Sequence, residues 1–365
     1  MVKTDVTLIP PTRVKGALPL PTHRGLKTGL GVRGVYVDPA PELIHGELQQ
    51  WADIARVEPV RLPGYWMHKR GTSLFTGQKP SPGDKVVYHL HGGAFIGFSA
   101  HPWSPTSDMP GLMLKECEKV KRSFALEYRL SVGAPLEPEH PFPTALVDAL
   151  AGYNYLVNTV GFVPEDIIVA GDSAGGNLAL ALTRYLVEYR KELTGALTAE
   201  PVPGALFLLC PWSDLSTATY ADPTCSCITN QSTDYLVGFA GPFPSVYNTP
   251  DENYAARAYV GPHGFEVASL TNPYISPASL SLPEGKGGFK GFPKTMVIAG
   301  DAEQLVDEVR RLVGRMEKDL GREGDGGLVK YFEGKDAVHD YLLYFWHDSA
   351  REETIEEIKR WVTGL

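Results

Sequence analysis

The chain has 365 residues, enough for one large α/β domain carrying an insertion or for two ordinary domains. With 43% hydrophobic and 21% charged residues it is not a globally disordered chain, and its 38 glycines and 30 prolines point to many turns and long loops. A formal net charge of −9 argues against a large phosphate-binding surface, so no nucleic acid partner is expected.

The N-terminal stretch Met1–Gly16 has no apolar run long enough for a signal peptide, and no segment reaches the ~20 apolar residues of a membrane span. A soluble cytoplasmic protein with no membrane span is the expectation. Four cysteines (Cys117, Cys210, Cys225, Cys227) are too few for a disulfide scaffold. Cys225-Ser226-Cys227 also lacks the CxxC spacing of zinc and redox motifs, so all four read as reduced thiols.

Pro and Gly break up the first 80 residues, leaving one helical stretch over Pro41–Ala55 with Leu43, Leu48, Trp51 and Ile54 at near-helical spacing. Strands are expected at Lys85–Leu90, Ser123–Tyr128, Asp166–Ala170, Ala205–Cys210, Thr295–Ala299 and Leu328–Phe332. Helices are expected at Pro143–Val160, Asn177–Tyr189, from about Leu305 to Met316, and at Arg351–Val362. Short continuously apolar strands alternating with amphipathic helices predict a mainly parallel sheet covered on both faces. Ligands of such sheets bind beyond the carboxyl ends of the strands. Between Pro211 and Pro273 the alternation stops for about 60 residues, which reads as a lid or binding insertion.

Gly171-Asp172-Ser173-Ala174-Gly175 lies between a predicted strand and a predicted helix. In that context G-x-S-x-G is a nucleophile turn: small flanking residues permit a sharp bend that exposes the serine Oγ above the sheet. A serine nucleophile needs donors for the oxyanion of its tetrahedral intermediate. His91-Gly92-Gly93-Ala94, after the first predicted strand, offers the N–H groups of Gly92 and Gly93, with that of Ala174 as a third. His91 itself reads as structural. His89 and His91 lack the further ligands of a hydrolytic metal site, so no metal is expected. The base should come last in the chain, which leaves His339 and His347. His339 follows the last strand, whereas His347 adjoins the packed segment Tyr341–Trp346, so His339 is preferred. The acid should lie just past Ala299, where Asp301 and Glu303 stand in a loop. Asp307 and Glu308 already belong to the next helix, with Asp307 placed to pair with Arg311. Spacing alone leaves Asp301 and Glu303 both open.

Together these stretches resemble the hormone-sensitive-lipase-like branch of the α/β-hydrolases. The resemblance runs from about Lys85 to the C-terminus. It rests on His91–Phe95, Tyr128–Leu130, Pro138–Pro143, Gly171–Asn177, Pro211–Leu215, Asn272–Pro277 and Val338–Asp340, in that order. It implies an α/β-hydrolase fold with an about eight-stranded sheet, whose core comprises residues 71–212 and 271–365. It further implies a lid from residues 1–70 and from an insertion after the sixth strand, residues 213–270. Trp51, Trp66, Tyr220, Phe239, Phe243 and Tyr247 would then be available to line an acyl or alcohol pocket, although each reads more simply as lid core. The family's acid stands in an Asp-x-Leu-x-Asp-Glu stretch. The matching run here is Glu303–Glu308, which implies Glu303, with Asp301 and Asp307 as the alternatives.

The chain departs from the family pattern at Ala94, where the third glycine of the loop would stand, and by an insertion, Ser131–Glu137, that reshapes a turn near the site. The implied activity is a serine carboxylesterase acting on small to medium acyl esters through an acyl-enzyme. It would need no cofactor or metal and would act as a monomer or as a homodimer paired near Leu328–Phe332. The rivals are an amidase or formamidase using the same triad and a non-catalytic receptor. Because the base must be unprotonated, activity is expected to decline below roughly pH 6.

Overall fold

Continuous runs of branched and aromatic residues build the centre of the computed structural model, which describes residues 32–197, 200–236, 253–344 and 348–365. Eight strands form one sheet: β1 Arg33–Val37, β2 Leu62–His68, β3 Lys85–Leu90, β4 Val120–Leu126, β5 Ile167–Asp172, β6 Ala205–Leu209, β7 Lys294–Gly300 and β8 Val329–Gly334. Their spatial order is β1-β2-β4-β3-β5-β6-β7-β8. The β1–β2 and β2–β4 pairs are antiparallel and the others parallel. The helices among the described residues are α1 Gly46–Ala55, α2 Asp108–Glu116, α3 Thr144–Asn154, α4 Ala174–Glu188, α5 Arg190–Leu193, α6 Ser226–Thr229, α7 Tyr254–Val260, α8 Phe265–Thr271, α9 Val306–Leu320 and α10 Asp348–Thr363.

Side chains alternate between the two faces of each strand, so a strand apolar at every position must be covered on both sides. Val86, Tyr88 and Leu90 of β3, Ile167 and Val169 of β5, and Leu206 and Leu208 of β6 pack with residues of α3, α4 and α9. Their intervening neighbours Val87, Ile168, Ala170, Phe207 and Leu209 face the other way, onto Met109 and Met113 of α2 and Ile358 and Trp361 of α10. Each fully buried Leu, Ile or Val contributes about 1.5–3 kcal/mol, which fixes the sheet between its two helical layers. The strand order reverses at β3, with β4 on one side and β5 on the other. At such a point loops leave in opposite directions and open a crevice above the carboxyl ends.

The structure corrects part of the expected lid. Within residues 1–70, β1 and β2 belong to the sheet, and Trp66 is a fully buried core residue packed at a tilt on Phe124. β2 escapes a pattern reading because Pro63 and Gly64 interrupt it. Gly64 is tolerated because the Phe124 ring fills the place its Cβ would take, with ring atoms 2.4 Å from that position. The predicted helix Pro143–Val160 divides into α3 and a π-helical stretch, Tyr155–Val160. Between β6 and β7 the described chain forms only the short helices α6, α7 and α8 and 3-10 turns. Phe239, Phe243 and Tyr247 lie outside the described residues, as does His347. All four cysteines are free and buried. Among the described residues no helix is long and apolar enough to cross a membrane.

Candidate active site

β5 runs straight into α4 through Ser173, which sits at φ 52° and ψ −119°. A non-glycine residue there is strained, by about 1–3 kcal/mol, and persists only if its surroundings hold it. They do so through the backbone. Ser173 N donates to Leu209 O at 2.9 Å, and Ser173 O accepts from Asn177 N at 3.1 Å and Trp212 N at 3.0 Å. The turn also requires the absence of side chains. A Cβ on Gly175 would stand 2.0 Å from Leu90 O, and one on Gly171 would stand 2.2 Å from Gly175 O. Ser173 itself is only partly buried.

The glycine loop after β3 lies beside this turn. Gly93 has φ 110°, and a Cβ there would meet Gly97 O at 2.3 Å, so only glycine fits. Gly92 does not play the part expected of it. Its N–H donates to Asp172 Oδ2 at 3.0 Å, while Asp172 Oδ1 faces His89 Nε2 at 3.1 Å. The donor is committed to a buried carboxylate, so the expected assignment of Gly92 to the oxyanion site is corrected. Ala174 opens α4, where an N–H has no intrahelical acceptor. His91 stacks on Tyr128, with ring centroids 4.2 Å apart, and burial lowers its imidazole to about 4, leaving it a neutral packing group. The loop is tied down by Phe95, which stacks on Tyr259 of α7, and by Ser131 N, which donates to Phe95 O at 2.8 Å. The Ser131–Glu137 insertion therefore touches both this loop and α7, where Gly133 N donates to Tyr254 Oη.

Past β7, Glu303 is fully buried and its Oε2 lies 3.4 Å from Nδ1 of His339, in the loop after β8. The other carboxylates are placed elsewhere. Asp307 accepts from Ser226 N at 2.8 Å and pairs with Arg310, not with Arg311 as expected. Arg311 instead pairs with Asp214. Asp301 is partly exposed, and its backbone is bonded to Gly334 and Asn230. Ser173 Oγ makes no hydrogen bond to His339 among the described residues. His339 Nε2 faces Asp340 Oδ2 at 3.3 Å. Cys210, Glu303 and His339 also bring a thiol, a carboxylate and an imidazole within 4.8 Å of one another. Each has a polar neighbour here already, since Cys210 Sγ accepts from Asp340 N at 3.3 Å.

Two acidic residues that no spacing argument singled out stand at His339. Asp340 stands at its Nε2. Asp234 bridges the two loops, accepting from His339 N through Oδ1 and from Gln304 N through Oδ2 at 2.8 Å. The segment carrying Asp234 is fastened to the Glu303 loop by Ser226 Oγ to Gln304 O, Asn230 Nδ2 to Glu303 O and Thr233 Oγ1 to Ala302 O. Burial raises the carboxyl groups of Asp340 and Glu303 above their ordinary range. Burial alone would lower His339, yet the charge of Asp340 and the bond and charge of Glu303 outweigh it and raise the imidazole to about 10. The only signal in the sequence for this acidic surrounding is the adjacency of His339 and Asp340. Asp234 lies 105 residues away from His339.

A cavity of about 930 Å³ lies apart from these groups, lined by Trp51, Arg184, Tyr274, Phe292, Arg315 and Lys318 among others, and by none of Ser173, Glu303 and His339. Trp51 therefore faces that cavity, where it packs on Phe142 and Tyr274. Tyr220 stands on a 3-10 turn after β6.

A family model described as "alpha/beta hydrolase fold" matches residues 87–343. An esterase of Acinetobacter venetianus is 27% identical over 263 residues, which cover 72% of this chain and 69% of that one. The esterase LipU of Mycobacterium tuberculosis is 32% identical over 166 residues, 42% of this chain and 50% of that one. The solved structure of a hormone-sensitive lipase from a metagenome library superposes with a TM-score of 0.58 at 23% identity, covering 93% of this chain and 88% of that chain.

Proposed function

The chain belongs to the α/β-hydrolase fold family, and from that premise we propose that it is a serine carboxylesterase acting on small to medium acyl esters. The observation that carries the reading is the Glu303–His339 contact at the carboxyl edge of the sheet that also presents the strained Ser173. The relatives named as esterases support it.

In this mechanism His339 accepts the proton of Ser173 as Oγ attacks the ester carbonyl. Glu303 holds Nδ1–H and stabilises the imidazolium, and the N–H groups of Gly93 and Ala174 receive the oxyanion. The alcohol leaves with the proton from His339, and water then cleaves the acyl-enzyme by the same steps reversed. For the base to reach Ser173, its Nε2 must turn from Asp340 Oδ2, 3.3 Å away, toward the hydroxyl. Catalytic hydrogen bonds commonly tighten only when substrate binds.

The test uses the intact protein with a fluorophosphonate and a series of p-nitrophenyl esters. One label per chain, mapped to the Ser173 peptide, and turnover highest with acyl chains of about two to eight carbons are the expected results. No labelling and no ester turnover would leave the fold as a receptor and end the proposal.

The acidic surroundings change the expected pH dependence. A raised imidazole keeps its proton to higher pH, so the neutral base is scarce at low pH and the acid limb of kcat/KM lies above 6.5, not at pH 6. Asp340→Asn removes the negative charge nearest Nε2, which makes the imidazolium less favourable and lowers the His339 value. The acid limb is expected to move down by about 1–2 pH units. A pH–rate profile of the variant that overlays the wild type would remove Asp340 from this role.

A further inference from the structure

Outside the proposed site, the most unusual electrostatic feature lies at the antiparallel edge of the sheet. Arg122 on β4 and His68 on β2 are directly opposed across the strand pair, and Arg33 on β1 is opposite Trp66. Arg122 is fully buried, its guanidinium held between the ring of Phe162 at 4.6 Å and that of Trp66 at 5.6 Å. Its Nη1 donates to Gln78 O, but Nε and Nη2 are buried without an acceptor. Arg33 Nη1 contacts His68 Nδ1 and also donates to Leu74 O at 2.8 Å.

The chemistry of these contacts fixes the proton on His68. A guanidinium only donates, so Nδ1 must accept and Nε2 must carry the hydrogen. That Nε2 is again buried without a partner. Burial, then the charges of Arg33 and Arg122, lower the imidazole to about 4, so His68 is neutral at physiological pH. The unpartnered atoms at this edge, Arg122 Nε and Nη2 and His68 Nε2, are therefore all donors, set beside two guanidinium charges. No carboxylate pairs with Arg33 or Arg122 among the described residues. Asp84, whose charge favours the protonated Arg122, is bonded to Ser81 N in the turn before β3. A guanidinium stays charged in a protein. Burying that charge and several N–H groups without acceptors is among the costliest arrangements a fold can hold. What the cluster lacks among the described residues is a single small acceptor bearing negative charge.

The geometry points to a buried binding site for a monovalent inorganic anion of the halide class, chloride in the first instance, between Arg122, His68 and Arg33. A halide takes N–H donors without demanding the fixed geometry of a carboxylate, and it tolerates the aromatic walls supplied by Trp66 and Phe162. The site is a stabilising one, remote in sequence from Ser173, Glu303 and His339, so its test does not depend on ester turnover.

Thermal unfolding of the full chain in sodium chloride or bromide is compared with sodium gluconate at matched ionic strength. The expected result is a saturable rise in Tm of about 3 °C or more in the halides. Arg122→Met, which exchanges the buried charge for an apolar chain of similar length, should abolish the halide dependence. His68→Phe, which removes one donor, should raise the half-saturating halide concentration at least about fivefold, equivalent to about 1 kcal/mol. Because Arg122→Met alters the core, a bromide-soaked crystal of the unaltered protein supplies an independent reading, with an anomalous peak expected within about 3.5 Å of Arg122 Nη2. Equal Tm values in chloride and gluconate, or a carboxylate of the chain itself in place of the bromide peak, would overturn the proposal.

Discussion

Ser173→Ala is expected to lower kcat/KM for p-nitrophenyl esters by about 10⁵-fold and to abolish fluorophosphonate labelling while leaving the fold intact. The loss corresponds to about 7 kcal/mol of transition-state stabilisation, because no acyl-enzyme can form without the hydroxyl. The Tm should change by little, since alanine keeps the same Cβ and the backbone bonds to Leu209, Asn177 and Trp212 are untouched. Ser173→Gly is the informative companion. It is equally inactive, but it adopts φ 52° without strain and should unfold at a higher temperature. Activity in Ser173→Ala within tenfold of the wild type would mean that another group carries the chemistry.

The second large effect concerns the acid. Glu303→Ala should reduce kcat by about 10³–10⁴-fold, because His339 loses both the group that fixes its tautomer and the charge that stabilises its protonated form. Asp301→Ala should stay within a few-fold of the wild type, its carboxylate being partly exposed with only its backbone bonded to the neighbouring loops. Glu303→Gln separates charge from shape: it preserves the volume of a fully buried residue while removing the negative charge, so a loss close to that of alanine identifies charge as the operative property. If Asp301→Ala loses more than Glu303→Ala, the assignment passes to Asp301. Steady-state kinetics on the three purified variants decide it.

The parts of this structure that the sequence made legible share one property: their cause is local. Six strands announced themselves as short, mostly apolar runs because the inner strands of a parallel sheet are covered on both faces, and the turn at Ser173 did so because its close packing admits only small residues at Gly171 and Gly175. β1 and β2 have no such mark. They are stabilised by antiparallel pairing across to β4, and Pro63-Gly64 makes sense only once the Phe124 ring is known to pass beneath it. The same division runs through the site. Glu303 followed from a resemblance in the surrounding run and is the carboxylate found at Nδ1 of His339, whereas the direction of the Gly92 N–H depends on a carboxylate eighty positions later. Asp234 and Asp340 act on His339 through space, and proximity in three dimensions leaves no period or motif for a reader of the chain to find.

One carboxylate, that of Asp234, is bonded at once to the amide of Gln304 and to the amide of His339, so the loops that carry Glu303 and His339 take their separation from a third piece of chain. A change in that segment that shifts Asp234 resets the gap between the Glu303 carboxylate and the His339 imidazole without touching either side chain.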